Sequence, residues 1–348
     1  MTKVINVSSL QRSSEEYDSV LRTLPFRDLR PRLLEMGFRF LSSDKELRQV
    51  NFERKGGIAR PYTIGDETPT GLAANGLGRV KESILEPEWG FTSLVEDIMN
   101  YEDVNIVGNA SEHVNPETKK HPHEFMIMSN VVKTLDEDLL DAIYFAERDE
   151  ADASPLGLCD GINYLADALV SSGEISAAKG NLYVTGDIVD VTDETDTTPY
   201  VTIRDALRAA NWGLKRGGAI LKMSETLYYY VMNGLTNKLT YKPTNGFEVL
   251  QEILRGEANF PGLRVSVEPE MGTGTRFYLT KPDNFDFSLW MDASSRFVQV
   301  RNPFENPNLV QFWSQWKTGA RIRVHHAKEF MMNNATAAGQ LLSGDYYS

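Results

Sequence analysis

RFYLTKPDNFDFSLWMDASSRFVQVRNPFENPNLVQFWSQWKTGARIRVHHAKEFMM, residues 276–332, is the stretch whose reading decides the fold. In RFYLT (276–280), RFVQVRN (296–302) and RIRVH (321–325), polar and apolar side chains alternate with period two, as in a strand with one buried and one wet face. Between Leu309 and Trp316, the aromatics Phe312, Trp313 and Trp316 crowd against Gln311, Gln315 and Lys317, so this run also has two unlike faces. Asn302-Pro303 and Asn306-Pro307 break the chain between runs, because proline donates nothing to a ladder and its predecessor avoids the helical region. The stretch reads as long antiparallel strands with a broken turn. On RFVQVRN, Val298 and Val300 share a face, and that face is expected to be buried against a helix carrying Leu135, Leu139 and Ile143.

A chain of 348 residues with 41% hydrophobic content can hold one large or two medium cores. No apolar run reaches the ~18 residues of a spanning helix. Met1–Leu10 carries Lys3 but no apolar signal core, so neither membrane insertion nor secretion is expected. The single Cys159 excludes an internal disulfide framework and a four-cysteine zinc site. A net charge of −13 argues against a dedicated nucleic-acid binder, which brings lysine and arginine to phosphate. The charge is uneven: residues 1–60 hold twelve Lys/Arg against eight Asp/Glu, and residues 134–205 hold three against seventeen. A basic arm and an acidic middle emerge, with Arg22, Arg27, Arg30 and Arg32 as candidates to meet acidic surfaces of neighbours.

In chain order, Val20–Leu47 has a mixed helical signal interrupted by Pro25 and Pro31, which reads as an arm that docks elsewhere. Two strand-like flanks, Val50–Ile64 and Arg79–Glu86, bracket the turn-rich Gly65–Gly78, so an extended two-stranded hairpin is predicted. Apolar residues at helical spacing predict a long helix over Glu124–Asp149. Beyond Ser154-Pro155, strands are expected at Tyr183–Val191, Ala219–Met223 and Pro261–Glu268, and helices at Val201–Leu214 and Glu225–Asn233. Interleaving of this kind favours an α+β or α/β core.

FVQVRNPF (297–304), then VQFWSQW (310–316), then ARIRVHHAKEF (320–330) with a small-residue tail, resemble the C-terminal third of tailed-phage major capsid proteins of the Hong Kong 97 type. SPLGLCDGINYLADALV (154–170) resembles the junction at which such proteins leave their spine helix for the axial domain, and the arm, extended loop and long helix stand in the same order. The resemblance implies an α+β Hong Kong 97-like capsid fold. It divides the chain into an N-terminal arm (1–49), an extended loop (50–87), a peripheral domain with a spine helix (88–153), an axial α/β domain (154–290), peripheral-domain long strands (291–320), and a last axial-domain strand with the C-terminal tail (321–348). It implies a structural subunit and not an enzyme, one that forms pentamers and hexamers of an icosahedral phage head enclosing double-stranded DNA. Its partners would be copies of itself, a separate scaffolding protein, a portal and cement proteins, with no membrane and no cofactor. Its place would be the virion, after synthesis in the host cytoplasm. An encapsulin-type shell for protein cargo has the same fold and is the alternative.

No catalytic, cofactor-binding or metal-binding residue is assigned. His121-Pro122-His123-Glu124 offers two histidines and a carboxylate, the basis of a competing reading as a metal-dependent hydrolase. His113, His325 and His326 are the other histidines that could supply ligands, but there is no matching partner set, the H-E-x-x-H spacing is absent, and the 121–124 stretch reads as an exposed turn. His325 and His326 are expected on a strand. Gly272-Thr273-Gly274-Thr275 lies between strands without the helix start of a phosphate loop, and reads as a turn. Asp187, Asp190, Asp193, Glu194 and Asp196 suit a hard cation but lack the regular EF-hand positions, and read as a solvated loop. Cys159 would need a histidine and a carboxylate brought near by folding to act as a nucleophile. Tyr228-Tyr229-Tyr230 reads as helix packing on both faces. Some capsids of the resembling family join a loop lysine to a neighbour's asparagine with a glutamate as base. The matching residue types here are Lys55, Lys81, Asn302, Glu305, Asn306 and Asn308.

Overall fold

The computed structural model describes residues 7–54, 78–97, 122–152, 154–239, 241, 243–291, 296–302 and 309–338. Its frame is one long strand, β11 (Leu309–Ile322). The expected separate runs VQFWSQW and RIRVH therefore join in a single strand, since Gly319 and Ala320 stay in the ladder opposite Ser288 and Phe287, and that strand ends at Ile322, leaving Arg323–His325 of the second run beyond it. Around it lie β1 (Phe38–Leu41), β4 (Glu88–Asp97), β9 (Phe285–Met291) and β10 (Gln299–Arg301). The sheet order is β1-β9-β11-β10 with β4 also on β11, and only the β1–β9 pair is parallel.

Along β11 the burial alternates: Val310, Phe312, Ser314, Trp316 and Thr318 point inward, and Gln311, Trp313, Gln315 and Lys317 point outward. The inner face packs in one core with α1 (Val7–Glu16), α2 (Asp18–Glu35) and α3 (Pro122–Phe145), the spine. At 24 residues α3 is about 36 Å long. It stops at Phe145, short of the expected Asp149, because the next backbone groups turn to other partners: Glu147 N donates to Leu156 O at 2.8 Å and Gly161 N to Ala146 O at 2.7 Å. Val298 is buried as expected, but so is Phe297, because the strand begins only at Gln299. The element laid on β10 is α1, whose Ser14 Oγ donates to Val298 O at 2.7 Å and whose Gln11 Nε2 donates to Val300 O at 3.1 Å.

The expected arm is thus, over residues 7–35, part of this subunit's own core. Pro25 and Pro31 do not end α2. Each removes one backbone hydrogen bond, and the burial of Leu21, Leu24, Leu29 and Leu33 in the spine's core offsets that loss. Three of the four arm arginines pair within this subunit, Arg22 with Asp18 at 2.7 Å, Arg27 with Asp28 at 3.1 Å and Arg32 with Glu270 at 2.9 Å, while Arg27 and Arg30 stay exposed.

The second sheet has the order β5-β12-β8-β6-β7, from β5 (Leu182–Tyr183), β6 (Ala219–Met223), β7 (Leu263–Val267), β8 (Phe277–Thr280) and β12 (Phe330–Asn333). Together with α5 (Thr198–Ala209), α7 (Glu225–Leu239) and α8 (Gly246–Glu257) it encloses a second core. Helix α4 (Ile162–Ser171) contributes Ile162 and Ala166 to the first core, and the short α6 (Trp212–Gly217) leads into β6. The expected boundaries shift accordingly. The break at 290 falls inside β9, which belongs to the long sheet, and β11 carries that sheet past 320 to Ile322. The strand expected over Tyr183–Val191 is only two residues long, and residues 184–191 form a loop. In the tyrosine triplet Tyr229 is 60% exposed, and Tyr228 and Tyr230 on either side of it are half-buried.

Helix α3 contains a carboxylate with no compensation. Asp136 is 7% exposed, and neither carboxylate oxygen has a hydrogen-bond partner. Burial pushes its carboxyl up to about 7, with Asp28 and Glu137 adding repulsion. Since the folded form holds its proton more tightly than the unfolded chain, stability falls as pH rises from about 4 to about 7 and is flat above. In Asp136→Asn that decline should disappear. Relative to the parent, the variant should gain on the order of 3 kcal/mol between pH 4 and pH 8. Denaturant melts at the two pH values check this, and an equal difference at both would contradict it.

Candidate assembly surfaces

The outward face of the long sheet is aromatic. The ladder register sets rows across it: Trp89, Lys317 and Trp290 form one, Phe91 and Gln315 the next, then Ser93, Trp313 and Gln299, then Val95, Gln311 and Arg301. Trp89 and Trp290 meet edge-on at 6.1 Å, Lys317 Nζ stands 4.7 Å from the Trp89 ring, and the Arg301 guanidinium lies 4.3 Å from the Trp313 ring. On the outer strand β4, Phe91 is 67% exposed and Val95 45%. Cations seated on aromatic faces, with apolar neighbours left in water, are the composition of a surface that another protein covers.

This face exists because β4 lies flat on β11. Gly90 permits it: a Cβ there would come within 2.5 Å of the Trp316 ring, which is buried beneath. Gly90→Ala should cost about 1–3 kcal/mol by overpacking. The thermal midpoint should drop, and an unchanged midpoint would show that β4 can lift without penalty.

The predicted hairpin flanks pair as β2 (Leu47–Arg54) and β3 (Gly78–Leu85), antiparallel from Leu47↔Leu85 to Arg54↔Gly78. Its centre, residues 55–77, and with it Lys55 and most of Gly65–Gly78, lies outside the described residues. Val50 and Val80 on the stem are 65% and 63% exposed. The root is strapped to the end of β11. Arg321 Nη1 donates to Leu47 O at 2.8 Å and Ser83 O at 3.1 Å, while its Nε donates to the fully buried Asp286 at 2.9 Å. Arg39 approaches the same carboxylate with two bonds, 2.8 and 3.0 Å. Asn51 Nδ2 donates to Arg323 O at 2.7 Å, and Ser83 Oγ to Ile322 O at 3.1 Å. Lys81 pairs with Glu174 and lies 3.1 Å from His325 Nε2. Its bonds, with those of Lys179, hold the Glu174 carboxyl down at about 2. The root of the stem is therefore held to the body at several points.

Of the candidate chemistries, Lys81 is committed to its own subunit, and Glu305, Asn306 and Asn308 lie outside the described residues, as do His113 and His121. Among the described residues no cluster of metal-ligating side chains occurs. His325 and His326 sit in the loop after β11 and not on a strand. Cys159 is buried, and burial pushes its thiol up to about 12, leaving no thiolate near neutral pH. The acidic loop uses its carboxylates on itself: Asp193 accepts from Thr195 N at 2.8 Å and Asp196 from Thr198 N at 2.8 Å. The Gly272–Thr275 turn staples distant segments, with Thr273 N donating to Ala338 O at 3.0 Å and Ile188 N to Thr275 Oγ1 at 3.0 Å. No described helix is long and apolar enough to cross a membrane.

Sequence reasoning missed the deepest polar site. Lys222 of β6 and Glu268, both fully buried, pair at 2.7 Å. Tyr144 of α3 donates to the same glutamate, as does Ser266 Oγ at 2.8 Å, and Lys222 also donates to Met36 O. The cluster joins the spine, the α2–β1 turn and the second sheet.

No protein-family profile matches the chain, and no curated protein is similar to it in sequence. Solved structures are similar in fold. A chain of the satellite phage P4 procapsid that includes the size determination (Sid) protein superposes with a TM-score of 0.53 at 11% identity, over 94% of this chain and 98% of that one. A Mycobacterium phage Bobi structure gives 0.47 at 11% identity over 88% and 90%, and the virus-like particle from Pyrococcus furiosus gives 0.43 at 11% over 94% and 98%. The chain has the α+β fold of phage capsid subunits, matching the Hong Kong 97-type resemblance at the level of the fold.

Proposed function

We propose that this protein is a major capsid protein, the structural subunit of an icosahedral phage head that encloses double-stranded DNA. Its end-to-end similarity in fold to a phage procapsid chain carries the reading. Two features of the subunit support it. The aromatic outer face of the long sheet is left in water on a single chain, and the hairpin is braced at its root and presents Val50 and Val80 outward. A hairpin of this kind, reaching across the aromatic face of the next subunit, would bury both apolar sets at once. Pentamers and hexamers of the chain would build the shell. A separate scaffolding protein, a portal and cement proteins would complete it, with assembly in the host cytoplasm and residence in the virion. The test is the content of purified particles after external nuclease treatment. Protected double-stranded DNA in particles from infected cells is expected, and particles filled with protein and free of nucleic acid would instead identify a cargo shell.

A further inference from the structure

The second sheet has two unlike edges. From one, β5 runs into the acidic segment 187–196; at the other, β7 floors a groove between α2 and α8. The groove has a volume of about 540 Å³ and is lined by Arg32, Arg255 and Arg264 beside apolar Phe247, Val265 and Val267. Glu35 also lines it, and Arg32 is paired with Glu270 at 2.9 Å. Arg255 and Arg264 are different. Arg255 Nε donates to Leu263 O at 2.7 Å and Arg264 donates to Glu35 O, so among the described residues each meets a backbone carbonyl and no carboxylate. A guanidinium has five donors, so both residues line the groove with donors beyond the one that each gives to a carbonyl. The outward N–H of Val265 is taken by Gln251 Oε1 at 3.0 Å, so recognition here falls to side chains and not to an added strand.

The acidic segment has the complementary chemistry. Val189 is 66% exposed, and exposed beside it are Glu194 and Asp193, the latter with its Oδ1 already accepting from Thr195 N and Oγ1. Its shape is already set, because Asn237 Nδ2 donates to Asp193 O at 2.9 Å and Asp196 O at 2.8 Å, and Asn233 Nδ2 donates to Asp190 at 3.0 Å. A preformed projection loses little entropy on docking.

We infer that neighbouring copies join head to tail through these edges, the β7 groove of one subunit receiving the Val189–Glu194 projection of the next. Two different patches of one chain make a heterologous contact, and its repetition closes a ring when the rotation permits. The inference rests on the shell reading and adds to it the contact that closes each capsomer.

Charge reversal tests the pairing. Arg255→Glu with Arg264→Glu, and separately Asp193→Arg with Glu194→Arg, should each raise the concentration needed for assembly at least about tenfold, since like charges then face each other across the contact. Both sets in one chain should bring it back to within about threefold of the parent. Because Arg255 and Arg264 each also support a backbone carbonyl, Arg264→Gln alone, at an exposed position, serves as a second groove variant: it should raise the concentration needed for assembly less than the reversal does, and a melting curve of the subunit measured alongside separates that loss from any loss of the bond to Glu35 O. Sedimentation velocity reads the outcome. Parent-like assembly of either reversed set, or loss in both without recovery in the combination, overturns the pairing while leaving the shell reading standing. A parent protein that never assembles overturns the shell reading, and this inference with it.

Discussion

Glu268→Gln should cost about 3–5 kcal/mol, a large share of the ~5–15 kcal/mol that holds a typical domain together. The substitution keeps shape and removes one charge. Lys222 is then a cation with no counter-charge, enclosed by the Phe38 ring at 4.5 Å and the Phe285 ring at 5.5 Å and left with neutral acceptors, the Met36 carbonyl and the new amide oxygen. Burial already lowers the Lys222 ammonium below its usual range, and Glu268 opposes that fall. Without Glu268 it falls further below the unfolded value. The loss of stability should therefore be greatest at acid and neutral pH and shrink as pH rises toward the unfolded lysine value of about 10.4. Removing both charges, as Lys222→Met with Glu268→Gln, should recover much of the loss, because the penalty comes from the orphaned charge and not from the absent pair. Denaturant midpoints of the parent and both variants decide it. A cost below about 1 kcal/mol for Glu268→Gln would mean that water reaches the site.

Phe91→Asp should abolish shells while leaving the subunit folded. Phe91 is 67% exposed, so the change removes no core packing, and stability should shift by no more than ~0.5 kcal/mol. In an assembled shell the same position would place a charge in a desolvated aromatic contact. A central interface residue of this kind typically carries ~2 kcal/mol or more, multiplied over every copy in the particle. Gel filtration should show soluble subunits or small oligomers under conditions where the parent forms particles. Parent-like particles from Phe91→Asp would show that the aromatic face stays in water.

The parts of the fold legible in the sequence were those where one chemistry fills one face. Helix α3 announced itself through Val131, Val132, Leu135, Leu139 and Ile143, all buried. The alternation from Val310 to Trp316 was equally clear, though periodicity could not say that Trp316 lies inside and Trp313 outside. Strand β9 was missed although it pairs with both β1 and β11. Its buried residues include Asp286 and Ser288, and a buried aspartate makes sense only beside Arg39 and Arg321, which are 247 and 35 positions away. Helix α8, which buries Leu250 and Leu254, was missed. Lys222 was hidden for the reason that hid Asp286, since its partner Glu268 is 46 residues distant and arrives on another strand's end. The hairpin stem was visible from composition. The Arg321 strap that holds its root was not, because arginine on a strand ordinarily reads as a wet-face residue.

The central claim is that this chain closes on copies of itself into a shell, and electron microscopy of the purified protein, concentrated stepwise and with a crowding agent, tests it most directly. The account predicts closed particles of uniform diameter whose reconstruction resolves rings of five and six subunits, with the hairpin of each laid over the Trp89–Phe91 face of its neighbour. A protein that remains monomeric at every concentration, or particles in which that face stays bare, would contradict it.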